Sequence, residues 1–481
     1  MASLPRRPWL WGLAAALLCL LSLAARWPGI VMYDTVSQWG QVVDDAYTDW
    51  HPPIMARSWA LVGHLYPGTQ PLFLAQMVLW WGGLGLLAGA LAQGGRRIAA
   101  GLVLLVGAAP LFLDWTTTIL KDAQMACCLV AATGLVAHWR LRARPLPPLA
   151  TAAALVLIAY ATLVRGNAVF ATVPFALALF DWPGLRRPVA RALAVAVGAL
   201  LVIGVSPLIN HRLLGAEATH VERTLPLYDM AGIAHYASLP TLPGLSPARW
   251  ASAEAQNCYT PYFWNPFGEP AQCDDVGQAV AMGDDAPPHL MATWAGMILH
   301  HPLAYAEHRL GHLNANLRFW VGPGEGDAVS PAKSEPNDLG LGGPPRLSGA
   351  ALVVAARGQA ESPLGWPCVW LAVAVALLWA VQGHAPQVRL GRALALSAAC
   401  MSASFAVVSI ASDLRYHLWS MVAAALAAVL CLDARALVPW RARVGGVAVA
   451  LVVGLATIAH LGAAAPIRPP LPPHLPARAP G

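Results

Sequence analysis

The sequence predicts an all-α polytopic membrane protein with about eleven transmembrane helices, interfacial helices and one large extracytoplasmic loop. Of its 481 residues, 57% are hydrophobic and only 11% are charged, whereas soluble domains carry roughly 25% charged residues. Apolar stretches of roughly 20 residues recur along the chain, and each is long enough to cross a hydrocarbon core about 30 Å thick. A soluble core could not use so many of them, so a soluble globular fold is excluded.

The predicted spanning helices follow the apolar segments in order. These segments are 8–27, 71–92, 98–113, 123–139, 149–164, 167–181, 190–209, 366–382, 393–411, 417–434 and 444–464. We therefore expect an N-terminal transmembrane module of about seven helices in 1–209 and a C-terminal module of about four helices in 366–464. Between them lies an extracytoplasmic loop domain, 210–365. The Pro-rich tail 465–481 is predicted to be disordered.

Arginine placement predicts the topology. Every second connection carries the clusters Arg6/Arg7, Arg96/Arg97, Arg140/Arg142/Arg144, Arg186/Arg187/Arg191, Arg389/Arg392 and Arg435/Arg441/Arg443. This positive-inside pattern puts the N-terminus in the cytoplasm. The same clusters account for most of the net charge of +6, so nucleic acid is not a predicted partner. Together with an Ala- and Arg-rich composition, the pattern predicts a multi-pass protein of a bacterial inner membrane.

The first outward loop, 28–70, contains a carboxylate just beyond the membrane exit, Asp34, and a His51-Pro52-Pro53 element before the next apolar helix. A carboxylate above the bilayer could take a proton from an attacking hydroxyl, and an apolar setting would raise its pKa toward a useful value. Alternatively, Asp34 could be the N-cap of the helix that follows, since Asp is favoured there. The loop also offers three further acids as the base: Asp44, Asp45 and Asp49.

Three later outward turns carry charged residues that could bind an anion. In the turn near 114–122, Lys121 could contact a phosphate, anchor the helix at the interface or pair with Asp122. Arg165 stands alone between two apolar helices, as a site residue or an interfacial anchor.

The last turn, SDLRYHLW, contains Asp413, Arg415 and Tyr416. The Arg415 guanidinium matches phosphate oxygens bidentately, and Asp413 could orient it or form a plain surface pair with it. Tyr416 could hydrogen-bond the phosphate or pack on a prenyl chain.

An early outward Asp, an HPP element opening the next helix and a late outward Arg-Tyr pair together resemble the GT-C superfamily of membrane glycosyltransferases. The resemblance covers the helix pattern of most of the chain, but its specific motifs span few residues. It implies Asp34 as the catalytic acidic residue, His51 as part of the HPP element shaping the pocket, and Arg415 at the carrier phosphate. Where the family commonly has Asp-Glu, this chain has Asp34-Thr35, which leaves the choice among the four acids open.

Segment 290–320 predicts an amphipathic helix at the membrane surface, with its apolar stripe at Leu303, Ala306, Leu310, Leu313 and Leu317. Its histidines are interpreted as interfacial rather than as a zinc site, because no HExxH is present. The Gly/Pro/Ser-rich stretch 322–348 is predicted to be a linker or lid. Cys258 and Cys273, outside the cytoplasm, are expected to be able to form a disulfide.

These features predict a glycosyltransferase that moves a sugar from a polyprenyl-phosphate carrier to a glycan, lipid or protein acceptor, with either stereochemical outcome. Membrane lipids are the other expected partners. A nucleotide-sugar donor is not expected, because no glycine-rich phosphate loop is present. No cofactor is predicted, although the carboxylates of 28–70 could bind a divalent metal ion. The alternatives are an O-antigen polymerase or ligase, whose reactive loop would come later, and a transporter, which would need ionisable residues inside its helices.

Overall fold

A computed structural model describes residues 9–463, except 65, 181, 183, 186, 269–272, 284–288, 323–327 and 345. Over this part of the chain the fold is helical, and extended backbone pairs only in isolated bridges. The predicted disordered tail, 465–481, lies outside the described residues.

Nineteen α-helices are named here in chain order among the described residues. The first ten are α1 Trp9–Arg26, α2 Tyr33–Val43, α3 Ile54–Gly63, α4 Gln70–Gln93, α5 Arg97–Ala108, α6 Pro110–Thr116, α7 Lys121–Arg140, α8 Pro148–Leu163, α9 Val169–Leu179 and α10 Pro188–Pro207. The next four are α11 Thr224–Tyr236, α12 Pro247–Ala255, α13 Leu290–His300 and α14 Pro302–Leu317. The last five are α15 Leu347–Ala360, α16 Pro367–Ala380, α17 Pro386–Val408, α18 Leu418–Asp433 and α19 Pro439–Gly462.

Every predicted apolar segment contains helix, but not every helix has the length of a membrane span. Six helices in the described residues are long and apolar enough to cross: α1, α4, α10 with its continuation to Leu213, α17, α18 with the turn from Leu414, and α19. A seventh is counted if α5 and α6, bent by 57° at Pro110, form one broken span. The apolar helices α8, α9 and α16 are shorter. The chain is thus a helical protein with several potential spans, and the count of eleven stays a prediction.

The chain divides into two compact units. Unit 1 comprises 1–217, 327–402 and 415–454, and unit 2 comprises 218–326, 403–414 and 455–481. The loop 210–365 is therefore split, since its last part belongs to the unit that contains α1–α10.

Unit 1 is centred on a close pair of helices, α4 and α7. Their backbones touch where Gly83 meets Val130 and Ala131, and a Cβ on Gly134 would overlap the carbonyl oxygen of Gly83. Small residues at a crossing let helices approach until backbone packs on backbone. A larger side chain at either glycine would push α4 and α7 apart.

Two buried tryptophans of α4 tie its neighbours to this pair. Trp81 donates its indole N–H to Ser22 of α1 at 3.0 Å, and Trp80 donates to the carbonyl of Gly107 in α5 at 3.2 Å. A buried indole N–H without an acceptor would be costly. These bonds therefore fix which faces of α1 and α5 lie against α4.

The described part of the predicted linker or lid, 328–344, packs on unit 1. Its Ser330 accepts from Arg26 and donates to Asp114, which itself forms a buried ion pair with Arg26. Farther along, Ser334 Oγ accepts from the Val31 amide at 3.1 Å, and the Glu335 amide donates to the Val31 carbonyl at 3.0 Å. This segment therefore covers the start of the loop 28–70.

Unit 2 is built around a polar core. The predicted helix 290–320 is broken at Pro302 into α13 and α14. The leucine stripe is on the outside of this unit, with Leu303 84% exposed, whereas His308 and His312 are fully buried. The prediction of interfacial histidines is therefore wrong at these two positions, because they hydrogen-bond within the core of the unit. Cys258, three residues after the end of α12, forms a disulfide with Cys273 in the turn at 273–275.

Candidate functional site

The position of Asp34 is set by backbone contacts between the loop 28–70 and the turn before α7. Ile30 exchanges backbone hydrogen bonds with Thr117 and Ile119, at 3.2 and 2.9 Å. Thr35 adds a side-chain bond of 2.6 Å to the carbonyl of Ile119. These three contacts hold the start of α2 against the residues that precede Lys121.

The N-cap alternative for Asp34 is wrong. Helix α2 begins at Tyr33 with Met32 as its N-cap, and Thr35 Oγ1 accepts from the Met32 amide at 3.1 Å. Thr35, the residue that departs from the common Asp-Glu pair, thus caps the helix. Asp34 lies in the first helical turn with its carboxylate free of a capping role.

The Asp34 carboxylate faces two cations from distant parts of the chain. Its Oδ2 lies 3.5 Å from Lys121 Nζ at the start of α7 and 3.3 Å from Arg415 Nη1 in the turn that precedes α18. The Asp34 side chain is 14% exposed, so the cluster is largely but not completely closed. The structure therefore gathers the early acid and the late arginine into one site.

His51 completes the contacts of Lys121. Lys121 Nζ lies 2.7 Å from His51 Nδ1, and because an ammonium can only donate, Nδ1 accepts and the ring proton is on Nε2. Nε2 points toward Asp34 Oδ1 at 3.8 Å, too long for a hydrogen bond. This buried N–H has no hydrogen-bond partner among the described residues. The HPP element places His51 shortly before α3, which begins at Ile54.

Charge proximity controls protonation in this cluster. Burial acts to raise the pKa of Asp34, but Lys121, Arg415 and His51 outweigh burial and hold it well below the usual range of a carboxyl group. The expectation of a raised pKa is therefore wrong. Burial and the nearby Lys121 ammonium lower the pKa of His51 to about 3, and burial lowers the pKa of Lys121 to about 8 despite the Asp34 charge. At neutral pH, Asp34 is ionised and His51 is neutral.

A second ion pair borders the first. Asp122 is buried and pairs with Arg165 rather than with the adjacent Lys121. Arg165 also donates to Asn167 Oδ1 at 2.6 Å. The Tyr416 ring lies against both arginines, 4.2 Å from Arg165 Cζ and 5.3 Å from Arg415 Cζ. Both turns thus contribute to one cationic cluster, with the tyrosine ring as its shared wall.

The other candidate acids have different surroundings. Asp44 is exposed at the C-terminal end of α2, and Asp45, 86% exposed, lies 3.8 Å from Arg57. Asp49 faces His211 at 3.5 Å. Asp413 belongs to unit 2, in the turn before Leu414, and is half-buried. Asp34 is the acid that lies between Lys121 and Arg415.

Sequence reasoning missed a polar extension of this site along α7. Gln124, one turn after Lys121, accepts a hydrogen bond from Tyr160 of α8, and Tyr160 OH lies 3.2 Å from Ser58 Oγ of α3. Each of these residues is unremarkable inside its own apolar helix. The usable signal was the helical spacing of Lys121 and Gln124, which places both on one face.

Sequence reasoning also missed two buried carboxylates outside the cluster. Asp114 pairs with Arg26 in unit 1, and Asp229 of unit 2 is fully buried against His308 and Arg309. Asp229 falls inside a region of mixed composition, where no apolar period marks it as buried.

The surroundings of Asp34 disfavour a divalent metal at this carboxylate. Within the described ranges, no group of three or more His, Cys, Asp or Glu side chains could hold a metal ion. Asp34 is surrounded by cations, and these would repel a divalent ion.

No protein-family model matches the chain, and neither a curated protein nor a solved structure matches it significantly.

Proposed function

We propose that this protein is a membrane glycosyltransferase that moves a sugar from a polyprenyl-phosphate carrier to an acceptor hydroxyl at the extracytoplasmic face. One observation carries the proposal. Asp34, Lys121 and Arg415, from three distant parts of a helical chain with several potential spans, meet within 3.5 Å at a partly open site. Transfer of a sugar from a phosphate leaving group needs a base for the acceptor hydroxyl and positive charge for the phosphate. A carboxylate beside two cations can supply both.

The charge balance of the cluster suits a phosphodiester. Lys121, Arg165 and Arg415 contribute three positive charges, and Asp34 and Asp122 contribute two negative ones, which leaves a net +1 with His51 neutral. A sugar linked through one phosphate to a polyprenyl chain carries a single negative charge. Binding such a donor would neutralise the site, and partial burial strengthens the attraction relative to water.

In the proposed reaction, the acceptor oxygen bonds to the anomeric carbon while the bond from that carbon to the phosphate oxygen breaks. The electron pair of the broken bond goes to the phosphate, where Arg415 and Lys121 stabilise the added charge. Asp34 takes the proton of the acceptor hydroxyl. Its pKa is too low for strong basicity while both cations face it. When Lys121 and Arg415 turn toward a phosphate, that restraint weakens and Asp34 becomes a better base.

His51 has a defined part in this scheme. Its Nε2–H is buried beside Asp34 without a hydrogen-bond partner among the described residues. A donor at that position can bond a sugar hydroxyl or a phosphate oxygen without adding charge. Without a partner for this N–H, the folded protein is less stable by about 1–3 kcal/mol, because a buried unpaired donor is unfavourable. A bound substrate that accepts from Nε2–H would remove this penalty.

The proposed setting is a bacterial inner membrane, with about eleven spans and a cytoplasmic N-terminus. The arginine clusters support this orientation, and the residues of the candidate site all lie on connections of the other set. The acceptor would then be a cell-envelope glycan, lipid or protein.

The test is Asp34→Asn in a membrane transfer assay with a polyprenyl-phosphate sugar. Loss of the base should lower kcat by about 10²–10⁴-fold, with the donor still bound because both cations remain. Asp45→Asn, which removes an exposed carboxylate of the same loop, should leave the rate unchanged. Full activity in Asp34→Asn would refute the assignment of the base.

A further inference from the structure

A second candidate binding site lies at the opposite end of α7 from Lys121. It is a cavity of about 390 Å³ between the end of α7, the connection to α8, the end of α9 and the start of α17. Helix α7 runs from Lys121 to Arg140, a length of roughly 30 Å at 1.5 Å per residue. That length is close to the thickness of a hydrocarbon core, and the sequence predicts a span at 123–139 within α7.

The lining of this cavity combines positive charge with apolar surface. Three arginines line it, Arg140, Arg144 and Arg389, and no acidic residue occurs among the described lining residues. Arg140 and Arg144 come from the end of α7 and the connection after it, and Arg389 comes from α17. The remaining lining is aliphatic with two prolines, and it includes Ala178 and Leu179 of α9.

Arg140 is held in place at the cavity wall. Its Nη1 donates to the carbonyl of Leu179 at the C-terminal end of α9, and its Cζ lies 6.0 Å from the Phe180 ring. Arg144 belongs to the exposed connection after α7, and Arg389 lies in the first turn of α17. A fixed cation and two more beside an apolar wall can receive an anionic group attached to an apolar body.

We propose that this cavity binds the headgroup of an anionic phospholipid. Basic pockets between helices at the cytoplasmic membrane surface select anionic headgroups, and the apolar lining suits the glycerol backbone and the first methylenes of the acyl chains. A soluble phosphate would use the arginines but leave the aliphatic wall in contact with water. The proposal rests on the membrane setting and not on the transferase activity.

The test measures lipid binding to the purified full-length protein by native mass spectrometry. Dioleoyl phosphatidylglycerol should bind about tenfold more tightly than dioleoyl phosphatidylcholine, because the arginines attract an anionic headgroup. The double variant Arg144→Gln/Arg389→Gln should lose this preference. Arg191→Gln, which changes an exposed arginine of α10 outside the cavity, should keep it.

A second variant separates the cavity from general surface charge. Ala178→Trp places a bulky side chain in the apolar lining and leaves all three arginines in place, so it should also weaken phosphatidylglycerol binding about tenfold. Equal binding of the two lipids to the unmodified protein would overturn the proposal. So would an undiminished preference in the double arginine variant, or undiminished phosphatidylglycerol binding in Ala178→Trp. Displacement of phosphatidylglycerol by excess inorganic phosphate would assign the site to free phosphate and overturn the lipid assignment.

Discussion

Two buried histidines in this protein have opposite surroundings, and the contrast distinguishes the candidate site from a structural core. In unit 2, His308 Nε2 donates to Asp229 at 3.0 Å, and its Nδ1 lies 2.7 Å from Tyr259 OH. Both ring nitrogens are therefore used. In unit 1, His51 uses Nδ1 for Lys121 and keeps a buried Nε2–H without a hydrogen bond to any described residue.

The carboxylates beside these histidines differ in the same way. Asp229 is fully buried and receives the Trp294 indole N–H at 2.9 Å, His308 and Arg309. Asp34 stays partly exposed amid an excess of positive charge. A buried carboxylate and histidine whose polar side-chain atoms all have partners specify packing, whereas an open cluster with net charge and an unused donor suits a ligand. This comparison predicts that the two regions respond differently to similar substitutions.

The largest expected effect is on stability, from Asp229→Asn. The variant leaves Arg309 and its neighbours without a buried counter-charge, which costs about 3–5 kcal/mol. Asp34→Asn should cost less, because its site is partly open and Lys121, with a pKa of about 8, can release its proton. Thermal unfolding of both purified variants measures the difference. Equal destabilisation would remove the distinction between a closed and an open network.

The next effect concerns donor binding by Arg415→Ala. Loss of a charged hydrogen-bond donor to phosphate should weaken donor affinity by about 2 kcal/mol, roughly thirtyfold. The donor affinity of Arg415→Lys should lie between those of the unmodified protein and Arg415→Ala, because lysine keeps the charge but not the bidentate geometry. Titration of the purified protein with a polyprenyl-phosphate sugar gives the affinities, with Arg191→Ala as the control. Unchanged donor affinity in Arg415→Ala would show that Arg415 serves only to hold Asp34.

A pH profile tests the protonation states of the open cluster. With the pKa of His51 near about 3 and that of Asp34 below its usual range, neither group changes charge above about pH 5, so kcat/KM should have no acid limb there. The pKa of Lys121 is about 8. As pH rises through that value the ammonium is lost, and kcat/KM should fall about tenfold per unit.

Lys121→Arg provides the matched variant for the pH profile. An arginine keeps its charge at alkaline pH, so the alkaline limb should disappear if the variant retains measurable activity. An alkaline limb of unchanged position would assign that titration to another group. An acid limb near pH 6 in the unmodified protein would mean that His51 titrates at its ordinary value, and the buried neutral imidazole would then be wrong.

The fold was predictable where hydrophobicity alone decides structure. Each apolar segment forms helix, because runs of apolar residues satisfy their backbone internally. Span lengths were less predictable: Pro110 bends the third segment, and the hairpin around Arg165 yields the short helices α8 and α9. In α14 the leucine stripe was identified correctly, but it does not mark the buried face of the helix. The opposite face, with His308 and His312, forms the core of unit 2.

The candidate site was partly predictable, because ionisable residues stand out in apolar surroundings. Asp34, Lys121, Arg165 and Arg415 were selected in this way. Their pairing was not predictable, since Lys121 pairs with Asp34 across the fold while its neighbour Asp122 pairs with Arg165. The sign of the Asp34 pKa shift follows from that pairing, so it too required the structure.

The smallest expected effect comes from Tyr416, whose ring lies against Arg165 and Arg415. A cation–π contact contributes about 0.5–2 kcal/mol, so Tyr416→Leu should weaken donor binding a few-fold. Tyr416→Phe retains the ring and should bind donor as the unmodified protein does. If Tyr416→Phe loses as much donor affinity as Tyr416→Leu, the hydroxyl hydrogen-bonds the phosphate and the ring does not contribute to binding. If Phe retains full affinity, the ring aligns the two guanidinium groups that the open cluster offers to its ligand.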